Sequence, residues 1–303
     1  MSSFRIISFD GGGIRGLVSL GIVRRLQQNH PRLLQEADMF SGTSTGGIIA
    51  LGLASGLNVD YLINMYLDNG EKIFTKRWSH MFGLFGAKYT HRYLKQLLIE
   101  TFGDRTLGDL KKRVVIPTFD LDNERDGLRR WKPKFFHNFE SPDADLSVPV
   151  WKVCMYTSAA PTYFKSYDGY VDGGMIANNS SMSAVVQALD ARHNGTHTLD
   201  DVRLLSIGTG ETSQFVKGAE VDFGMTDVGT LMKIVLDGTE DVPDHQCKVL
   251  LADHYRRLDP YNYEGYEMDD WRHSEYFVEL GDSTDLMDVP EWLKAVWSEK
   301  ESK

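Results

Sequence analysis

The run Gly42-Thr43-Ser44-Thr45-Gly46 constrains what this chain can fold into more than any other feature. It fits G-x-S-x-G, a sharp strand-to-helix turn that pushes a serine hydroxyl clear of the backbone. Ahead of it, Met39-Phe40-Ser41 reads as the end of a short strand. Behind it, residues 47–54 are apolar on every face, as a buried helix is. Gly42 and Gly46 let the turn crowd its neighbours without a Cβ clash. A serine so placed sits at a helix N-terminus, where unpaired N–H groups and the macrodipole favour a developing negative charge.

The rest of the chain alternates. Arg5 to Phe9 is predicted as a strand, followed by a glycine turn and a helix from Arg15 to Asn29. Asp38 to Thr43 is the second strand and Ser44 to Ser55 the buried helix. Helices are predicted at Val59 to Phe74, Tyr93 to Phe102, Trp151 to Ser158 and Ser180 to His193. Val114 to Leu121 is β-rich, with Lys134 to Phe139 as its hairpin partner, and Val202 to Gly208 is a late strand. Helices are expected again at Asp227 to Leu236 and Gln246 to Leu258. Apolar strands alternating with helices imply a parallel sheet covered on both faces. With 303 residues and no Pro/Ser-rich linker, the economical reading is a single domain over 1–303, with 211–303 as a helical C-terminal part where a regulatory surface could lie.

A second motif, Asp10-Gly11-Gly12-Gly13-Ile14-Arg15-Gly16, follows the first strand and opens the first helix. Its consecutive glycines present several backbone N–H groups with no side chains in the way. That suits an anion: a phosphate, or the oxyanion of an ester under attack. Gly11, Gly13 and Gly16 also match the dinucleotide fingerprint, which wants an acidic residue at the end of the second strand. Here Asp38 opens that strand and Gly42-Thr43-Ser44 ends it. A tight structural turn is the plain alternative.

Tyr170-Val171-Asp172-Gly173-Gly174 is the third motif. Alone it is a turn. Beside a serine nucleophile, which needs a base within hydrogen-bond reach, Gly173 and Gly174 would let the Asp172 carboxylate approach Ser44. A Ser-His-Asp triad competes, with His193, His197, His245, His254 and His273 downstream, but none has a distinctive setting.

In this order the three motifs resemble the patatin-like phospholipases, whose pattern is D-G-G-G-x-R-G, then G-x-S-x-G, then D-G-[AG]. The resemblance covers about residues 4 to 210, where Ser206 to Gly210 is similar to the family's late strand-loop. It implies a three-layer α/β/α sandwich with a mostly parallel central sheet. It implies a Ser44–Asp172 dyad without histidine, and an oxyanion hole from the Gly11-Gly12-Gly13 loop and the Arg15 region. Gly42, Thr43, Thr45 and Gly46 would form the nucleophile elbow and Gly173-Gly174 the turn supporting the aspartate. No metal or cofactor is required by that scheme. The implied substrate is a phospholipid or other acyl lipid. The alternatives are an effector lipase gated by a nucleotide or protein partner, as in bacterial antiviral defence, and a general carboxylesterase.

Composition narrows the partners. Lys plus Arg is 33 against 43 Asp plus Glu, a formal charge of −10, which argues against binding a nucleic-acid polymer. Two cysteines, Cys154 and Cys247, suit a reducing compartment better than a disulfide framework. The N-terminus runs directly into a strand with no signal-like pattern. The expectation is a cytoplasmic protein making transient, peripheral contact with the inner membrane face. The segment from Lys76 to Lys88, with Trp78, Met81, Phe82 and Phe85 among basic residues, reads as a lipid-facing anchor or as core packing. Asp120 to Gly127 only faintly resembles a calcium loop and reads as a hairpin turn. The basic residues Arg129, Arg130, Lys132 and Lys134, and the pair Arg256-Arg257, are solvated faces or contacts for an anionic activator.

Overall fold

In a computed structural model of the chain, residues 3–76, 86–125, 128–192, 197–213, 216, 221–224 and 227–297 are described. The strands are β1 (Phe4–Phe9), β2 (Met39–Gly42), β3 (Arg113–Arg125), β4 (Leu128–His137), β5 (Tyr170–Asp172), β6 (Val202–Ile207) and β7 (Tyr255–Leu258). They form one mixed sheet in the order β4-β3-β2-β1-β6-β7, with β5 paired to β3. The pairings from β3 through to β7 are parallel; β4 and β5 run antiparallel to β3.

Side-chain alternation along the central strands explains the layers. Ile7, Val114 and Leu205 join one apolar cluster with the helices Gly16–Asn29, Thr45–Ala54 and Val59–Ile73. Their chain neighbours Ile6, Val115 and Leu204 join a second cluster with residues of the helices Ser181–Ala188 and Asp241–Leu251. Successive side chains leave a strand on opposite faces, so the sheet is the middle layer of an α/β/α sandwich. On the first face the helices Gly16–Asn29 and Ser274–Asp282 nearly touch: a Cβ on Gly281 would lie 2.3 Å from the Val18 carbonyl oxygen. Cys154 and Cys247 are buried and unbridged, one in each cluster.

Three expectations are corrected. The helix predicted from Ser180 to His193 ends at Ala188. The helix predicted from Gln246 to Leu258 is a helix Asp241–Leu251, broken where Ala252 takes φ 45°, followed by strand β7. Parallel pairing of Tyr255 to Leu258 with β6 overrides the local pattern, so the C-terminal part is not purely helical. The hairpin turn placed at Asp120 to Gly127 also moves. β3 continues to Arg125 with a bulge between Asp120 and Asn123, and residues 126–127 lie outside the described residues. The aromatic segment holding Trp78, Met81, Phe82 and Phe85 lies outside them too. Among the described residues, no helix is long and apolar enough to cross a membrane.

Candidate active site

β2 delivers its last residue, Gly42, into a turn with no room to spare. A Cβ on Gly42 would lie 2.1 Å from the Gly46 carbonyl oxygen, and one on Gly46 would lie 2.3 Å from the Phe9 carbonyl oxygen. Between them Ser44 is held at φ 55° and ψ −122°, a region that side-chain-bearing residues rarely occupy. The surroundings over-determine this strain. The Ser44 amide donates to Thr157 Oγ1 at 2.9 Å, and that hydroxyl donates to the Pro117 carbonyl at 2.8 Å. Thr43 Oγ1 donates to the Ala177 carbonyl at 2.6 Å, and Thr45 Oγ1 shares a 2.5 Å hydrogen bond with the Tyr66 hydroxyl. Every residue of the helix Thr45–Ala54 is buried behind the serine.

The sheet register brings the acid to the serine. On β3, Val115 lies opposite Ser41 of β2, and Thr118 lies opposite Asp172 of β5. Three residues along a strand span about 10 Å, so Thr118 and Asp172 lie past the end of β2, where the chain turns into Ser44. Asp172 is 1% exposed. Its Oδ1 accepts the Gly174 amide at 2.8 Å, and its Oδ2 has no well-formed hydrogen bond. Burial pushes the carboxyl up to about 7, opposed by the Gly174 amide and by the neighbouring Ser44 hydroxyl. Gly173 is forced by space: a Cβ there would lie 2.2 Å from the Pro117 carbonyl oxygen.

The glycine loop lies against both. Gly12, Gly13, Ser44, Thr45, Asp172 and Asn178 line one pocket, whose remaining wall is mostly apolar and aromatic, with Ser158 as its other polar residue. The Gly12 and Gly13 amides find no acceptor among the described residues, so both remain available to an anion in the pocket. Gly13 needs its positive φ of 59°, and a Cβ there would collide with the Met268 carbonyl, which accepts the Ile14 amide at 2.8 Å. Gly11 and Arg15 do something else. The Gly11 amide donates to the Asn178 carbonyl and the Arg15 amide to the Gly12 carbonyl. The Arg15 guanidinium turns away from the pocket to Asp237 and the Gly210 carbonyl. Both residues shape the loop instead of donating into the pocket, which corrects the expectation for them.

Among the described residues no histidine lines this pocket, so His197, His245, His254 and His273 do not complete a triad there, and His193 lies outside the described residues. Among the described residues, the one carboxylate cluster tight enough for a metal is Asp10, Glu240 and Asp259. Its cation is already present as Arg257, 2.7 Å from Asp10 and 2.6 Å from Asp259. Arg257 is therefore not open to an anionic activator, and Arg256 pairs with Asp288. Arg129 pairs with Asp122, and Lys134 with Asp145. The sequence reading missed Asn178, Leu236 and Met268, which line the pocket, and Thr157, which holds the elbow. Asn178 follows the aspartate motif closely and was the only one of these with a local signal.

A serine on a strained elbow, a buried carboxylate beside it and amides facing the same cavity are the parts that serine hydrolases of α/β architecture combine. A model of the patatin-like phospholipases matches residues 7–185. The chain is 34% identical to Protein teg of Priestia megaterium, over 80% of this chain and 74% of that one. It is 34% identical to a cGAMP-activated phospholipase of Escherichia coli, over 68% of this chain and 62% of that one. Among solved structures, VipD of Legionella pneumophila aligns with 97% of this chain and 67% of its own, at a TM-score of 0.46 and 11% identity. This chain belongs to the patatin-like phospholipase family.

Proposed function

We propose that the chain is a lipid acyl hydrolase that releases fatty acids from phospholipids through Ser44 and Asp172. The observation that carries this reading is the buried Asp172 carboxyl, pushed up to about 7 with an unsatisfied Oδ2 beside Ser44 in an apolar pocket. An aspartate of ordinary pKa near 3.9 is a poor base for an alcohol. Burial narrows that gap, and a base poised near the working pH is the more effective one.

Ser44 Oγ attacks the ester carbonyl carbon while its proton passes to Asp172 Oδ2. The Gly12 and Gly13 amides receive the oxyanion, a contribution of about 2.7–4 kcal/mol per donor in comparable sites. The protonated Asp172 hands its proton to the departing alcohol, leaving an acyl-serine. Water then attacks, Asp172 takes its proton, and collapse returns the serine hydroxyl and frees the fatty acid. The net change is ester plus water to acid plus alcohol.

The test is intact-mass analysis after fluorophosphonate treatment of the wild type and Ser44→Ala. One adduct on the wild type and none on the variant is expected; an adduct on both would remove Ser44 from its role. Fatty-acid release from phosphatidylcholine micelles, compared with a dissolved short-chain ester, then separates a lipid hydrolase from a general carboxylesterase. Labelling that required an added nucleotide would assign the chain to the gated reading.

A further inference from the structure

The helix Val228–Leu236 is apolar at six of its nine positions, yet much of it faces water. Val228, Leu231 and Ile234 are 44%, 38% and 43% exposed. Val221 and Phe223, just ahead of it, are exposed to a similar degree. A helix of this composition normally has every face covered, and a bare apolar patch marks an interaction surface.

Its inner face belongs to the active site. Leu236 is part of the wall around Ser44, together with Tyr163 and Met268. The same three residues and Met232 line an adjoining cavity under the helix. One side of the helix therefore walls the catalytic pocket while the other is bare. That pocket holds only about 60 Å³, against roughly 300–1,000 Å³ for occupied ligand pockets. An acyl chain needs more room than this, and Leu236 is one of the side chains whose movement would provide it.

The charges beside the helix select the partner. Lys233 is paired with Glu267 and Arg15 with Asp237, and Glu240 and Asp241 follow the C-terminal end. The border offers an anionic headgroup no uncompensated cation among these residues, in a chain of net charge −10. We propose that the outer face of Val228–Leu236 docks on a neutral, zwitterionic phospholipid surface, bringing the lipid ester in beneath Leu236. This rests on the lipid-hydrolase reading above.

The experiment uses the full chain in the Ser44→Ala background, with co-sedimentation on phosphatidylcholine vesicles. Leu231→Gln with Ile234→Gln is expected to weaken vesicle partitioning by about tenfold or more, since apolar burial drives such docking. In the catalytically intact chain the same pair should cut hydrolysis of vesicle lipid in proportion and leave a dissolved short-chain ester within about twofold. Leu231→Trp supplies a second readout, an indole fluorescence blue-shift on adding the vesicles, relative to the wild type. Unchanged partitioning of the double variant, or an indole that stays in water, overturns the proposal. So does partitioning only to vesicles with anionic lipid, or a concentration-dependent dimer that the double variant abolishes. Inactivity of Ser44-intact protein on both substrates, with vesicle binding as expected, would instead count against the hydrolase reading alone.

Discussion

Asp10 follows β1 and Asp172 ends β5, and the two carboxyls meet nearly the same burial, 0% and 1% exposed. Burial pushes each up to about 7. Their surroundings then diverge. Asp10 sits in the C-terminal third's grip, with the Arg257 guanidinium 2.7 Å away and shared with Asp259 and Glu240. Among the described residues no cation acts on Asp172; a backbone amide and the Ser44 hydroxyl are the groups that favour its ionised form. A buried carboxylate held by a guanidinium is fixed in place and works as structure. Both carboxyls sit near 7 with their surroundings counted, so what separates Asp172 is that the group beside it is the Ser44 hydroxyl and not a guanidinium, as a base for that serine requires.

The sharpest break of that comparison is Asp172→Asn against Asp10→Asn. Removing a general base costs about 10²–10⁴ in kcat, and Asp172→Asn is expected within that range on a dissolved ester. Asp10→Asn leaves Arg257 with Asp259 and Glu240 and should cost less than about tenfold. Equal losses in the two variants would mean that Asp172 has no special chemical role.

Arg257→Met attacks the other side. It strands three buried carboxyls, and breaking such a pairing costs about 3–5 kcal/mol. The remaining carboxyls bind protons in the folded state at a pH where the unfolded chain has released them, so stability falls as pH rises. Denaturant melts should therefore show a larger deficit at pH 8 than at pH 5. A deficit that is flat with pH would show that Arg257 acts through packing.

The raised pKa of Asp172 also has a stability sign. Ionising it in the fold is unfavourable, so wild-type stability declines between the unfolded value near 3.9 and the folded value of about 7. Asp172→Asn does not titrate. It should match the wild type below about pH 4 and be more stable by about 1–3 kcal/mol above pH 7, given about 1.4 kcal/mol per pH unit and partial relaxation. The activity of the wild type should fall on the acid side with an apparent pKa near 7. An acid limb near 4 would mean that the carboxyl is better solvated than its burial implies.

How much of this was legible follows from how local each cause is. The elbow at Ser44 was readable because the clash at Gly42 is with Gly46, four residues on, although the one at Gly46 is with Phe9 of β1. The glycine loop was readable as a donor array, but which amides stay open depends on Asn178 and Met268, far along the chain. Asp172 was readable as a motif, while its approach to Ser44 depends on its register against Thr118. The Arg257 cluster was not readable at all. Tyr255-Arg256-Arg257-Leu258 carries two charges in four residues and no strand-like alternation, and it becomes a strand only by pairing with β6. Leu236 and Met268 reach the pocket for the same kind of reason, through packing across the sequence.

Asn178 joins the two regions and gives the smallest effect. Its side-chain amide donates to Glu240 in the Arg257 cluster and to the Gly11 carbonyl at 3.4 Å, while its own carbonyl accepts the Gly11 amide. Asn178→Ala keeps the backbone bond and loses the side-chain ones. A net hydrogen bond is worth about 1 kcal/mol, so kcat should drop by about five- to tenfold. Because the loop amides act on the oxyanion and not on the ground-state ester, KM should hardly move. The rate of fluorophosphonate labelling should fall with kcat. If KM rises while kcat and labelling hold, Asn178 contacts substrate instead, and the Asp10 cluster has no line of influence on the oxyanion loop through it.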